Sequence, residues 1–119
     1  MSEEQLPDLQ MLVGEQLNAV TFVMDYVQFH FNGPDLTALN HPIVEFRGTR
    51  TQFPSPGSRD ALCSLIEQEV ESVEDVERVH IRLVFSSGHV LIVPLDHGSY
   101  VGPEAATFSD PRKPGLLVW

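Results

Sequence analysis

Five histidines, one cysteine and a surplus of carboxylates are the groups in this chain that could ligate a metal, attack a carbonyl or move a proton. The histidines are His30, His41, His80, His89 and His97, and no two stand at His-x-His or His-x3-His spacing. No Cys-x2-Cys pair accompanies them, so the set lacks the close spacing that brings ligands onto one ion. His41 and Glu45 flank a loop-to-strand segment, and Asp25 can be brought beside them. An imidazole and two carboxylates within hydrogen-bond reach would serve general acid–base chemistry in a dry cleft. Cys63 falls in the second turn of a helix with Arg59 as its nearest base and no Cys-plus-His signature, which reads as a small buried apolar residue. The serines lack a Gly-x-Ser-x-Gly elbow, and the glycines form neither a dinucleotide fingerprint nor a P-loop. No catalytic residue, metal ligand or cofactor is therefore assigned, and the alternative that remains is a homo-oligomeric small-ligand-binding domain or an enzyme using Asp25, His41 and Glu45.

The elements that must position these groups are mostly strands. Val27, Phe29 and Phe31 alternate with Gln28, His30 and Asn32, the period of a strand with one buried face. Met24-Asp25 reverses the chain before it, and Asn32-Gly33-Pro34 ends it. A short strand at 36–39 and a hairpin around Arg47-Gly48 follow. Pro54-Ser55-Pro56-Gly57 then punctuates the chain. Ser58 caps a helix expected over residues 58–70, whose stripe Leu62, Leu65, Ile66 and Val70 docks on a sheet. Strands at 70–76, 79–85, 89–95, 105–108 and 116–119 complete the pattern, with Pro94 expected at a sheet edge.

The chain repeats itself. Leu12-Val13-Gly14-Glu15-Gln16-Leu17, Val20, Val27 to Phe31 and Gly33 are echoed by Leu65-Ile66-Glu67-Gln68-Glu69-Val70, Val73, Ile81 to Phe85 and Gly88. The spacing grows from 53 to 55 residues along the echo. The expected fold class is α+β and mainly antiparallel: two related meanders, as a half-open barrel or a sandwich, with one helix. The 119 residues fit one domain, with residues 1–10 as a loose arm or a short helical turn.

A two-residue loop at Ser87-Gly88 would set Val84 opposite Leu91, Arg82 opposite Val93 and His80 opposite Leu95. Ile81, Leu83, Phe85, Val90 and Ile92 then form the core face. The other face carries His80, Arg82, Val84, His89, Leu91 and Val93, and with Glu74, Asp75 and Glu77 it is the expected interaction surface. A hairpin apolar on both faces is either sandwiched or seated in a homodimer contact.

Seventeen acidic residues against seven basic ones give a net charge of −10. That field repels phosphate backbones and anionic lipid, which argues against nucleic acid and membrane and favours a basic protein partner or self-association. No apolar run of about 18 residues spans a bilayer. The start shows neither a basic n-region nor an apolar h-region, and the single cysteine fits a reducing cytoplasm. The run Glu67, Glu69, Glu71, Glu74, Asp75, Glu77 is the densest charge cluster.

The motifs Leu-x-Gly-x-x-Leu-x-x-Val at 12–20, Asp-Tyr-Val-Gln-Phe-x-Phe-x-Gly at 25–33, Arg59-Asp60-Ala61-Leu62, Phe-x-x-Gly at 85–88, Pro-Glu-Ala-x-x-Phe at 103–108 and the closing Val118-Trp119 form one series. In this series the chain resembles a family of small uncharacterised bacterial proteins of about this length. The resemblance implies no activity and no site residues. By class analogy with small acidic α+β proteins, a non-enzymatic protein–protein interaction module, immunity-like in kind, is the expected function.

Overall fold

A computed structural model describes residues 7–119. The first half of the chain forms β1 (Ala19–Val23), β2 (Tyr26–His30), β3 (Asp35–Ala38), β4 (Ile43–Phe46) and β5 (Thr49–Gln52). The helix α1 (Ser58–Cys63) separates these from β6 (Val70–Val76), β7 (His80–Phe85), β8 (Val90–Pro94), β9 (Ala106–Ser109) and β10 (Leu117–Val118). The strands make two five-stranded antiparallel sheets, ordered β1-β2-β3-β9-β10 and β5-β4-β8-β7-β6. Side chains from both sheets, from Leu9 to Phe108, form one buried apolar cluster. The fold is α+β and mainly antiparallel, and neither sheet closes into a barrel.

The repeat in the sequence is a repeat in space. Each half builds a three-stranded meander and then sends its last hairpin into the other half's sheet. Thus β4-β5 pairs beside β8, and β9-β10 pairs beside β3. The halves meet where Gln16 bridges Glu69, its own counterpart 53 residues on. Around that bridge the hydrogen bonds come in reciprocal pairs. Gly14 N donates to Val70 O at 2.8 Å, and Glu67 N donates to Leu17 O at 2.7 Å. Leu17 N donates to Gln68 O at 3.0 Å, and Val70 N donates to Glu15 O at 2.9 Å. Exchanging the halves turns each bond into its mate, so a local pseudo-twofold passes through this point. Gly14 and Glu67 share the left-handed backbone that the crossing requires, at φ 89 and 76.

The structure corrects several expectations. Of the two forms expected for residues 1–10, the described part takes the short helical turn, a 3₁₀ turn at Leu9–Leu12 capped by Asp8 with Pro7 and Leu9 buried, and residues 1–6 lie outside the described residues. The helix stops at Cys63 because three successive tight turns (Leu65 N to Leu62 O, Ile66 N to Cys63 O, Gln68 N to Leu65 O) reverse the chain toward the pseudo-twofold. Leu62 and Leu65 are still buried, whereas Cys63 is exposed. Gly57, at φ 83, is the N-cap in place of Ser58, whose hydroxyl is buried. Pro94 lies in the interior strand β8, but it stands beyond the last β4 pairing at Ile92, where no donor is needed.

The β7–β8 register differs by one residue from the expected one. Phe85 N donates to His89 O and Gly88, at φ 97, supplies the left-handed residue of a three-residue loop. Leu83 therefore faces Leu91 and Ile81 faces Val93. A one-residue slip exchanges faces, so Leu91 and Val93 are fully buried core and Val90 and Ile92 join Arg82 and Val84 outside.

Candidate functional site

The residues expected to form an interaction surface are dispersed by this register. Leu91 and Val93 leave it for the core. His80 and Glu74 pair on the outer face of the second sheet, with Nε2 2.8 Å from Oε1. His89 sits at the opposite end of the hairpin, stacked on Phe46 at 3.8 Å between centroids and 4° between planes. Burial first, and then the Arg47 guanidinium, hold its imidazole below the ordinary pKa. His89 and Phe46 line a pocket of about 370 Å³ with Arg47, Thr49, Thr51 and Ser64.

The enzyme alternative is not assembled. Asp25 lies in the β1–β2 turn beside Tyr26 and the 101–104 segment. His41 packs edge-on against Phe53 at 6.0 Å. Glu45 pairs with Arg50 at 2.7 Å and lies four residues along the chain from His41, about 13 Å in extended backbone. A different polar row has the connectivity of a hydrolytic triad: Thr21 Oγ1 is 2.8 Å from His30 Nε2, and His30 Nδ1 is 2.8 Å from Asp35 Oδ1. It crosses β1, β2 and β3 on a solvent-facing side, with Thr21 exposed and His30 and Asp35 half-buried, so it reads as a cross-strand polar ladder. Among the described residues, no group of three or more His, Cys, Asp or Glu is placed to hold a metal ion, and no helix is long and apolar enough to cross a membrane.

Positions shared by both halves are explained by the scaffold, so the places where the halves differ are where a specific role can reside. The β3–β4 connection covers only 39–42, while its counterpart covers 95–105 and carries His97 and Tyr100. That longer loop borders a groove of about 570 Å³, lined by Asp75, Glu77, Arg78, Leu95, Tyr100 and Trp119. A second hollow of about 440 Å³ shares Arg78, Leu95 and Tyr100 and adds His97, so the two are continuous.

Each wall has a local cause. Asp75 stands opposite Ile81 on the core side of β6, at the end where the sandwich opens. Its carboxylate accepts the Trp119 indole N–H at 3.2 and 3.3 Å, which orients the ring across the opening. Trp119 is fixed from behind by main-chain bonds to Ala105 and Ala106. Leu95 is a buried floor and Tyr100 is 37% exposed. Glu77 and Arg78 approach only to 3.9 Å and are each 88% exposed, so that pair constrains little. One indole ring, one phenol ring, an apolar floor and two carboxylates against the single guanidinium of Arg78 suit a partner's cationic side chain better than an anion. Asp75 and Glu77 belonged to the expected surface. Tyr100, Trp119 and Leu95 did not, because only the sandwich geometry brings three distant segments together.

No family model, curated protein or solved structure matches the chain.

Proposed function

We propose that the protein is a non-enzymatic protein–protein interaction module that binds a basic partner through the groove between Trp119, Tyr100, Asp75 and Glu77. The observation that carries this reading is the convergence of both rings and both carboxylates on one opening, bordered by the 95–105 loop that departs from the internal repeat. Tryptophan and tyrosine supply much of the binding energy of protein interfaces, and a chain of net charge −10 steers a basic partner toward them. An immunity-like role, in which an acidic domain blocks a basic effector, is one form of this function.

A photo-crosslinking amino acid in place of Tyr100, introduced in the source cell, tests the reading. The expected product is one dominant adduct with a basic protein that then titrates with the purified domain at physiological ionic strength. Adducts scattered over many proteins, or association that vanishes at that ionic strength, would overturn it.

A second reading, self-association, has its own support. The outer face of the second sheet carries the half-buried Val84 and Val90, beside Ile43 and Ile92, which the chain itself already covers to 8% and 6% exposure. Light scattering at high concentration would give a dimer mass if this face pairs with its copy, and a monomer mass would remove this reading.

A further inference from the structure

The groove has a mate in the other half of the molecule, and that mate is occupied. Register fixes the correspondence. Asp75 faces Ile81 on β7 as Phe22 faces Val27 on β2. Phe53 N donates to Pro42 O just past the β4–β5 hairpin, and Trp119 N donates to Ala106 O just past the β9–β10 hairpin. The Asp75–Trp119 contact is thus the counterpart of the Phe22–Phe53 stack, whose rings lie 5.8 Å apart at 21°. Over that stack α1 places the guanidinium of Arg59, 5.7 Å from the Phe22 ring and 5.1 Å from the Phe53 ring.

We propose that the Asp75–Trp119 groove receives an arginine side chain of the basic partner, in the place that Arg59 takes over Phe22 and Phe53. The proposal rests on the interaction reading above and names the group that is recognised. Two substitutions between the halves favour a guanidinium from outside. Where the first half has Phe53, the second has Trp119, the strongest cation–π surface among side chains. Where the first half has Phe22, the second has a carboxylate that already holds the indole N–H and keeps lone pairs free for a further donor. A planar guanidinium can stack on a ring and donate to a carboxylate at once, whereas a lysine ammonium offers only a point charge. Glu77, which Arg78 approaches only to 3.9 Å, adds a second acceptor at the rim. The net charge of −10 makes the complementarity a property of the whole surface as well as of the groove.

The chain's single tryptophan gives a probe without overlap. The full-length protein, labelled with ¹⁵N, is titrated with end-capped Gly-Arg-Gly and, separately, end-capped Gly-Lys-Gly, while the Trp119 indole resonance is followed. Saturable movement of that resonance is expected with the arginine peptide, about tenfold tighter than with the lysine peptide. Asp75→Asn should weaken the arginine response about tenfold and erase most of the preference. Tyr100→Ala, at an exposed position, is the second variant, and an otherwise unchanged amide spectrum shows that each variant is folded. No saturation, or equal response to both peptides, overturns the arginine assignment. If the crosslink from position 100 still yields its single basic partner, the interaction reading survives that result. If both experiments fail, the groove is not a binding site.

Discussion

At the scale of single residues, one carboxylate does the most to hold the irregular part of the fold. The side chain of Asp110 is completely buried, at the exit of β9, and accepts from Arg112 three times over: from Nε at 3.0 Å, from NH2 at 2.9 Å and from the main-chain N at 2.9 Å. The Arg112 guanidinium lies 3.5 Å from where a Cβ on Gly33 would stand, so the pair clips the β9–β10 connection against the β2–β3 turn. The Arg112 hydrogen bonds draw the Asp110 pKa below its ordinary value and outweigh the burial that would raise it. A carboxyl group depressed on folding adds stability above its unfolded pKa, and that stability is lost as pH falls through the folded pKa. Wild type should therefore lose urea resistance more steeply than Asp110→Asn between about pH 5 and pH 2, and at neutral pH the variant should melt about 5 °C or more below wild type. Equal pH slopes for the two proteins would show that this contact does not couple protonation to folding.

At the scale of elements, the strands were legible because their period-two apolar pattern is local, and the turns because their residues are. Arg47-Gly48 forms the expected β4–β5 reversal, with both residues at positive φ, and Met24-Asp25 forms the β1–β2 one. Sequence reasoning failed where a tertiary contact chose between local options. Whether Ser87-Gly88 closes a two- or a three-residue loop is not written in those residues. The inward demand of Leu91 and Val93 against Ile81 and Leu83 decides it. The helix stripe Leu62, Leu65, Ile66 did identify a buried face, but helix length was set by the need for Glu67 to turn left-handed and donate to Leu17. That crossing makes a paired prediction. A Cβ at Gly14 would meet no atom within 4 Å, so Gly14→Ala tests conformation alone and should cost about 1 kcal/mol, the ordinary penalty of left-handed backbone. Glu67→Gly relieves the same conformation at the mate position and should leave stability unchanged or raise it by less than about 1 kcal/mol. Urea denaturation measures both, and like-signed losses would show that the two positions are not conformational equivalents.

At the scale of the whole molecule, the exchange of hairpins between sheets explains why the repeat was visible and the groove was not. The repeat is carried by residues in contact along each meander, whereas Asp75, Tyr100 and Trp119 come from three segments that meet only after each half has lent its last hairpin to the other. The same exchange implies that neither half can bury its own core. Without β9-β10, β3 is left as an open edge exposing the side of Leu36 and Ala38, and without β4-β5, β8 loses its cover beside Leu91. The exposed segment Pro54-Ser55-Pro56-Gly57 joins the halves and contributes no residue to the buried core, so it is the place to divide them. Residues 1–56 and 57–119, made as separate chains, should each show poorly dispersed amide spectra alone. Mixed in equal amounts, they should form a one-to-one complex with the dispersion of the intact protein, since nearly the whole core is their interface, as in obligate complexes. If either fragment alone gives a dispersed spectrum at monomer mass, that half holds a core of its own, and the hairpin exchange is an ornament of the topology instead of its cause of stability.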